Sequence, residues 1–160
     1  MFAIVRMGIS MIIKPSDINS FEARTLIDEL SDELQTITGN SGRASFYDKD
    51  INNPRSLFVV AMEEDVAVGC GAFRELSVDT AEVKRMFSRK KSFGVGGRIL
   101  TYLEEQAKEL GFRRFVLETR KCNEIAVSFY QHHGYRVIKN YGKYVEMPEA
   151  VCFEKILERF

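Results

Sequence analysis

The stretch VKRMFSRKKSFGVGGRIL, residues 83 to 100, is the most informative part of this 160-residue sequence. The stretch continues a strand pattern that begins at Ala81, and its C-terminal part has the pattern of an amphipathic helix. Between the two lies Gly94-Val95-Gly96-Gly97, where glycine lets the backbone approach a ligand closely. The first amides of a helix have no partner inside it and lie at the positive end of its dipole. The pattern therefore predicts an anion site, and phosphate is its natural occupant.

Known phosphate-binding motifs narrow this prediction. The P-loop pattern GxxxxGK[ST] is absent from the sequence. A dinucleotide fingerprint would need glycine where Ile99 stands, and the chain leaves little room for a separate substrate domain. Glu118 does lie about 20 residues further on, as that fingerprint requires, so an oxidoreductase stays open as an alternative. A glycine turn that serves packing alone is a further alternative.

Charge is unevenly distributed along the chain. The whole sequence has 23 basic and 23 acidic residues and no net charge. Residues 1–80 hold seven Lys or Arg against thirteen Asp or Glu, whereas residues 81–160 hold sixteen against ten. Six basic residues and no acid lie between Lys84 and Arg98. The neutral total argues against a general nucleic-acid coat protein, and the local excess favours one small polyanionic ligand.

The hydrophobic pattern predicts one α+β domain, residues 1–160, with a core over about 11–157. Strand signals dominate the middle of the chain and strand–helix–strand units follow, which favours a single central sheet. Asn123 is a typical cap for the last helix, which ends at Gly134. The predicted strands are 11–13, 57–62, 66–74, 81–88, 115–119, 135–139 and 151–157, and the predicted helices are 21–37, the segment after the glycine turn, and 123–134.

Three further features concern disulfide bonding, membrane targeting and the loop after the first helix. Cys70, Cys122 and Cys152 are widely spaced and form no CxxC pair, which indicates reduced thiols in a cytoplasmic protein. The apolar first thirteen residues are interrupted by charge and glycine, so they predict a strand or short extension rather than a signal peptide or membrane span. Residues 39–56 predict a loop that forms a mobile wall of a site.

The order of these features resembles the GNAT superfamily of acyl-CoA-dependent N-acetyltransferases, from about Met11 to Leu157. Its members carry [RQ]-x-x-G-x-[GA] before the third helix, and the matching stretch here is KSFGVG, residues 91–96. The segment TAEVKRMF, residues 80–87, resembles the family's fourth strand. Lys91 departs from the usual Arg or Gln, and the segment from Met86 to Gly94 is about two residues shorter than is common.

The resemblance implies a mixed, mostly antiparallel and twisted sheet flanked by helices. It implies acetyl-CoA as cosubstrate and no metal. Oxyanion donors are implied at the backbone of Met86 and its two successors, where a local splay of strands frees N–H groups. The residues expected to bind the cosubstrate are Met86, Phe87, Ser88, Lys91, Gly94, Val95, Gly96, Gly97, Arg98 and Asn123.

Catalysis by such a site needs a base and an acid. A lysine-like amine has a pKa near 10.4, so only about one molecule in 2,500 is neutral at pH 7. Glu82 is the first candidate base, directly or through water, and Glu118 the second; structural carboxylates are the alternative for both. Tyr130 matches the family's general acid, with core packing as its alternative. His132 and His133 are expected to interact with the helix dipole rather than bind metal.

The resulting hypothesis is transfer of acetyl from acetyl-CoA to a primary amine of a small molecule or peptide, by direct attack through a tetrahedral intermediate. The alternatives are a non-catalytic CoA-binding module or regulator and a nucleic-acid binder that uses residues 84–98. Neither nucleic acid nor membrane is expected as a partner, and a homodimer is compatible with such a fold. The acidic N-terminal half favours a cationic acceptor, although a solvated helix face explains those acids equally well.

Overall fold

The computed structural model describes residues 11–42, 53–89 and 94–158. It confirms an α+β fold built on one mixed sheet. Residues 1–10, Lys91 and the stretch 43–52 of the predicted loop lie outside the described residues. The strands are β1 (Met11–Pro15), β2 (Leu57–Glu63), β3 (Val66–Glu75), β4 (Thr80–Ser88), β5 (Arg114–Arg120), β6 (Arg136–Ile138) and β7 (Ala150–Ile156), and the helices are α1 (Phe21–Thr38), α2 (Val95–Glu109) and α3 (Glu124–His132).

The seven strands follow the order β1-β2-β3-β4-β5-β7-β6. Every neighbouring pair is antiparallel except β4 and β5, which run parallel. The predicted turn between β2 and β3 is confirmed, since Glu64 and Asp65 have φ angles of 46° and 69°. Two successive residues with positive φ are typical of the tight turns that match the twist of a hairpin.

The helix boundaries follow from capping chemistry. Ser20 accepts a hydrogen bond from the amide of Ala23 at 3.2 Å, and Gly39 ends α1 with a φ of 76°. Asn123 accepts from the amide of Ala126 at 3.2 Å at the start of α3, so its prediction as a cap is confirmed. Each cap satisfies a backbone group that a helix end leaves without a partner.

The sheet buries a different set of side chains on each face. One face packs against α1 through Ala23 and Leu26, which meet Phe58, Val60 and Cys70; we call it the α1 face. The other, the α2 face, is larger and packs against both α2 and α3. Its most buried members are Phe73, Ile99, Leu103, Phe112, Phe115, Leu117 and Phe153. Within the described ranges, no helix is both long and apolar enough to cross a bilayer.

The parallel strands β4 and β5 separate soon after they meet. Their register contains three pairs, from Thr80 opposite Arg114 to Glu82 opposite Val116. Beyond Glu82, β4 continues along β3 and β5 continues along β7. The two strands therefore open a V in the middle of the sheet, and backbone groups on the inner edge of β4 lack a strand partner there.

A β-bulge marks the same part of β4. Arg85 has a φ of 56°, an uncommon value for a residue with a side chain, and the register with β3 shifts beside it. The buried thiol of Cys70 donates to the carbonyl oxygen of Arg85 at 3.2 Å. Burial raises the pKa of this thiol to about 12, so it remains a protonated donor at neutral pH. Cys70 therefore supports the bulge.

Glycines in β3 let the sheet pack closely beside this bulge. A Cβ atom on Gly69 would lie 2.8 Å from the carbonyl oxygen of Phe87. One on Gly71 would lie 2.5 Å from the sulfur of Met86 and 2.8 Å from a methyl carbon of Ile99. Neither position has space for a larger residue, so these glycines set how closely β4 and α2 approach β3.

Candidate active site

A cleft of about 1190 Å³ opens where β4 and β5 separate. Its walls come from the end of α1, from β4 and β5, from the first turns of α2, from α3 and from the segment before β7. Such a volume is large enough for an extended small molecule. Ten of the residues predicted from sequence for binding or catalysis line it: Met86, Phe87, Ser88, Gly94, Gly96, Gly97, Arg98, Glu118, Asn123 and Tyr130.

Two predicted site residues do not line the cleft. Val95 is fully buried in the core of the α2 face, which leaves only its backbone for a ligand. Glu82 is also buried and lies at the last pair of the β4–β5 register. The prediction for Lys91 falls outside the described residues.

The start of α2 has the features expected of an anion site. Gly94 precedes the helix with a φ of 70°, and no side chain caps it. The first helical bond runs from the amide of Arg98 to the carbonyl of Gly94 at 3.1 Å, so the helix itself leaves the amides of residues 95–97 unused. Ser88, across from Gly96, has a buried hydroxyl with no hydrogen-bond partner in the described part of the chain. These donors fit phosphate oxygens.

The glycines at the start of α2 also make room for α3. A Cβ atom on Gly97 would lie 2.8 Å from the ring of His133, and one on Gly96 would lie 3.3 Å from the ring of Phe129. Burial, and then the charge of His132, lower the pKa of His133, which favours its neutral form. The packing role and the anion site therefore involve the same turn.

The basic stretch does not act as one patch. Arg89 turns away from the cleft, where Glu29 and the carbonyl of Ala67 bind its guanidinium. Lys84 points to the α1 face, and its ammonium donates to the hydroxyl of Tyr144 at 3.1 Å. Arg98 lies on the first turn of α2 and lines the cleft. Among the described members of the stretch, Arg98 is therefore the one on the helix whose amides form the candidate anion site.

Tyr130 lies on the α2 face with its ring in the core. The side chain is 8% exposed and packs against Phe129, Tyr135 and Phe153, yet it also lines the cleft. Within the described ranges, its hydroxyl makes no hydrogen bond. Burial raises the pKa of Tyr130 far above its usual value, so the phenol is protonated at neutral pH. The residue therefore packs in the core and also carries a protonated phenol beside the cleft.

Glu82 is the centre of a buried polar network. Its carboxylate is 1% exposed and accepts from Nε of Arg74 at 2.8 Å and from the hydroxyl of Tyr141. The ammonium of Lys84 lies 3.5 Å away. Burial, and then the charge of Glu82, raise the pKa of Tyr141, so its hydroxyl remains a donor. These partners occupy both carboxylate oxygens.

Glu118 faces the cleft directly. Leu117 and Val83 belong to the core of the α2 face, so alternation along the strands places Glu118 and Lys84 on the α1 face. Burial raises the pKa of Glu118, although a hydrogen bond from Arg120 and the charge of Lys84 oppose the rise. A carboxylate of raised pKa at a cleft is a candidate for proton transfer.

Apart from Glu118, sequence reasoning did not find the residues that line the α1-face part of the cleft. They come from segments without a recognisable motif, and pairs such as Lys84 and Tyr144 are 60 positions apart. No periodicity signals such a contact. The described residues contain no group of three or more His, Cys, Asp or Glu side chains placed to hold a metal ion. We call these cleft-lining residues, together with Glu118, the acceptor pocket: Glu33, Leu34, Ile37, Thr38, Lys84, Arg85, Glu118, Arg120, Lys143, Tyr144 and Met147.

Comparison with known proteins gives consistent matches. The family model described as the acetyltransferase (GNAT) family matches residues 24–135. The uncharacterised N-acetyltransferase YsnE of Bacillus subtilis is 27% identical over 147 residues, which cover 88% of this chain and 97% of that protein.

Solved structures share the fold. An acyl-CoA N-acyltransferase from Klebsiella pneumoniae superposes with a TM-score of 0.79 and 21% identity, over 94% of this chain and 100% of that one. A GNAT family acetyltransferase from Elizabethkingia anophelis with acetyl-CoA bound gives a TM-score of 0.69 and 16% identity, over 92% of this chain and 98% of that one. At these identities the likeness establishes a common architecture.

The Glu82 network yields a prediction for stability. Glu82→Gln keeps the side-chain volume but leaves Arg74 and Lys84 without their buried counter-charge. We expect the free energy of unfolding, measured by urea denaturation, to fall by roughly 3 kcal/mol, the lower end of the cost of breaking a buried ion pair. The matched control is Glu105→Gln on α2, whose carboxylate is 61% exposed; it should change stability by less than about 0.5 kcal/mol. Equal effects of the two variants would contradict a structural role for Glu82.

Proposed function

Because the chain belongs to the acetyltransferase (GNAT) family, we propose that it transfers the acetyl group of acetyl-CoA to the nitrogen of a primary amine in a small molecule or peptide. The observation that carries this proposal is the separation of β4 and β5 after three residue pairs. The resulting cleft joins an anion site on the α2 face to a pocket of titratable side chains on the α1 face.

The α2-face part of the cleft fits a pyrophosphate-bearing cosubstrate. The unused amides of residues 95–97, the hydroxyl of Ser88 and the guanidinium of Arg98 supply donors and positive charge around one turn. Asn123 lines the same cleft, and its side-chain amide N–H groups remain donors while its oxygen caps α3. When bound, acetyl-CoA supplies a thioester carbonyl that an amine can attack.

The inner edge of β4 provides the electrostatic part of the mechanism. Between Met86 and Ser88 this edge faces the cleft and has no pairing with β5. Attack on a thioester carbonyl places negative charge on its oxygen, and backbone amides fixed at that point stabilise the charge. The bulge at Arg85 holds the segment in place through the hydrogen bond from Cys70.

Protons move through two side chains in this proposal. The amine loses a proton to the carboxylate of Glu118 as its nitrogen forms the new bond to carbon. The hydroxyl of Tyr130 supplies a proton to the thiolate that leaves as the carbon–sulfur bond breaks. Glu118 lines the cleft, whereas Glu82 is enclosed by Arg74, Tyr141 and Lys84. The geometry therefore favours Glu118 as the base and gives Glu82 a positioning role beside Lys84.

The direct test is a screen for thiol release. Acetyl-CoA should raise the melting temperature of the protein because it binds the folded state only. Free CoA thiol should appear only when an accepting amine is added, and mass spectrometry should find the amine heavier by one acetyl group. Binding of acetyl-CoA without turnover across a broad amine panel would favour a binding module; no thermal shift at all would overturn the proposal.

Tyr130→Phe tests the proton donor. We expect kcat to fall by more than about tenfold, in the range that general acid catalysis contributes, while the Kd for acetyl-CoA stays nearly unchanged. Tyr102→Phe is the matched control, since Tyr102 also lines the cleft but lies on α2. Unchanged turnover in Tyr130→Phe would remove this hydroxyl from the mechanism.

The pH profile tests the base. A protonated carboxyl cannot accept a proton, so kcat/KM should rise with pH through the raised pKa of Glu118. Glu118→Gln should lower kcat/KM by about 10²-fold or more and remove this acidic limb, since the group that titrates is gone. Glu33→Gln, at another carboxylate of the cleft, should keep the limb. If the limb survives in Glu118→Gln and disappears in Glu82→Gln, the base is Glu82.

A further inference from the structure

The charges of the acceptor pocket narrow the class of acceptor. Resting on the proposed function, we propose that the accepting amine also carries a carboxylate, bound by Lys143 with Arg120 and Lys84, beside an apolar group that packs on the end of α1. An amino acid with an apolar side chain is the simplest molecule of this class.

Cations outnumber acids in the acceptor pocket. Four basic side chains line it, those of Lys84, Arg85, Arg120 and Lys143, against two acidic ones, Glu33 and Glu118. Arg120 donates to Glu118, so one of the two acids already has a cationic partner. Glu82, just behind the pocket, is bound to Arg74 and Tyr141 and lies near Lys84. Among the residues that the structure describes, the acids near the pocket therefore leave a positive excess for a ligand.

Lys143 is the cation placed to bind such a ligand. Its ammonium lies 5.5 Å from the ring centroid of Tyr144, and within the described ranges it forms no ion pair. Lys84 lies on the same tyrosine, with its ammonium 3.1 Å from the hydroxyl oxygen and 5.7 Å from the ring centroid. Tyr144 thus contacts both ammonium groups, and both lysines line the cleft. A carboxylate bound by either ammonium would gain a charge-assisted hydrogen bond.

The described acids of α1 and the segment before it contribute little to this pocket. Six acids lie between Asp17 and Glu33, but Glu33 is the one among them that lines the cleft. Glu29 instead binds Arg89 on the outside of the molecule. The hypothesis of a cationic acceptor, drawn from sequence charge, therefore finds little support in the arrangement of side chains.

The remaining wall of the pocket is apolar. Leu34 and Ile37 reach it from α1, and Met147 reaches it from the segment before β7. These side chains can cover a hydrophobic group on the acceptor but offer no hydrogen bonds to a sugar or polyamine. The pocket thus combines one polar cationic side with one apolar side, as an amino acid with an apolar side chain requires.

The positive potential of the acceptor pocket also favours the neutral form of a bound amine. A nearby positive charge disfavours the ammonium form of a bound amine and so lowers its pKa. A larger fraction of the acceptor is then neutral and nucleophilic at Glu118. An amine without a carboxylate would be repelled by the same positive potential and would have no negative group to offset that repulsion.

The affinity for acetylated products tests the contribution of the carboxylate separately from that of the amine. N-acetylphenylalanine and N-acetylleucine differ from their carboxamides only in this charge, because neither member of a pair has an ionisable amine. We expect each acid to bind CoA-saturated protein about tenfold more tightly than its amide by calorimetry at low ionic strength, since charge-assisted hydrogen bonds are about twice as strong as neutral ones. The difference should shrink in high salt. Equal affinities, or tighter amides, would overturn the proposal.

Variants of Lys143 test whether the acceptor pocket causes the difference in affinity between acid and amide. Lys143→Ala should weaken the acids several-fold while leaving the amides unchanged, and Lys143→Arg should restore most of the loss. Lys139→Ala, at an exposed lysine outside the cleft, is the matched control and should change neither. Equal weakening of acid and amide by Lys143→Ala would also overturn the proposal. Failure of the proposed function is distinguishable, because acetyl-CoA would then either give no thermal shift or bind without amine-dependent release of thiol.

Discussion

The site depends on one constraint, that two neighbouring parallel strands pair for three residues and then separate. The last pair involves Glu82, whose carboxylate joins β4 to Arg74 on β3 and to Tyr141 near β7. These bonds hold the strands together at the point where the V begins. Beyond this pair, the cleft replaces further hydrogen bonding between β4 and β5. An unpaired strand edge elsewhere in a sheet would invite aggregation, whereas here the edge of β4 is available to a ligand.

Most of the fold was predictable because it depends on local rules. The caps at Ser20 and Asn123, the turn at Glu64-Asp65 and the alternation of apolar residues determine elements whose bounds agree with the structure within a few residues. The glycine turn before α2 was equally predictable, and helix chemistry alone suggests the proposed anion site there. Tyr130, in contrast, was singled out by the family resemblance, and it lines the cleft.

The acceptor pocket could not be predicted in the same way. Its members meet through contacts between distant segments, such as Lys84 with Tyr144, and their spacing in sequence has no period. Charge counted along the chain was a poor guide, since Arg89 is neutralised by Glu29 from the opposite half. The relative merits of Glu82 and Glu118 as a base also rested on burial and partners, which two strand carboxylates do not reveal in sequence.

The bulge at Arg85 has a consequence for how this strand tolerates insertion and deletion. Val83 and Met86 pack on the α2 face and Phe87 on the α1 face, so the extra residue reverses the alternation partway along β4. Deletion of one residue at this point would remove the bulge and leave the later side chains on their present faces, whereas insertion of one more residue would exchange the faces of everything after it. Ser88 would then turn from the start of α2 towards α1. The length of β4 is therefore as much a part of the site as any side chain in it.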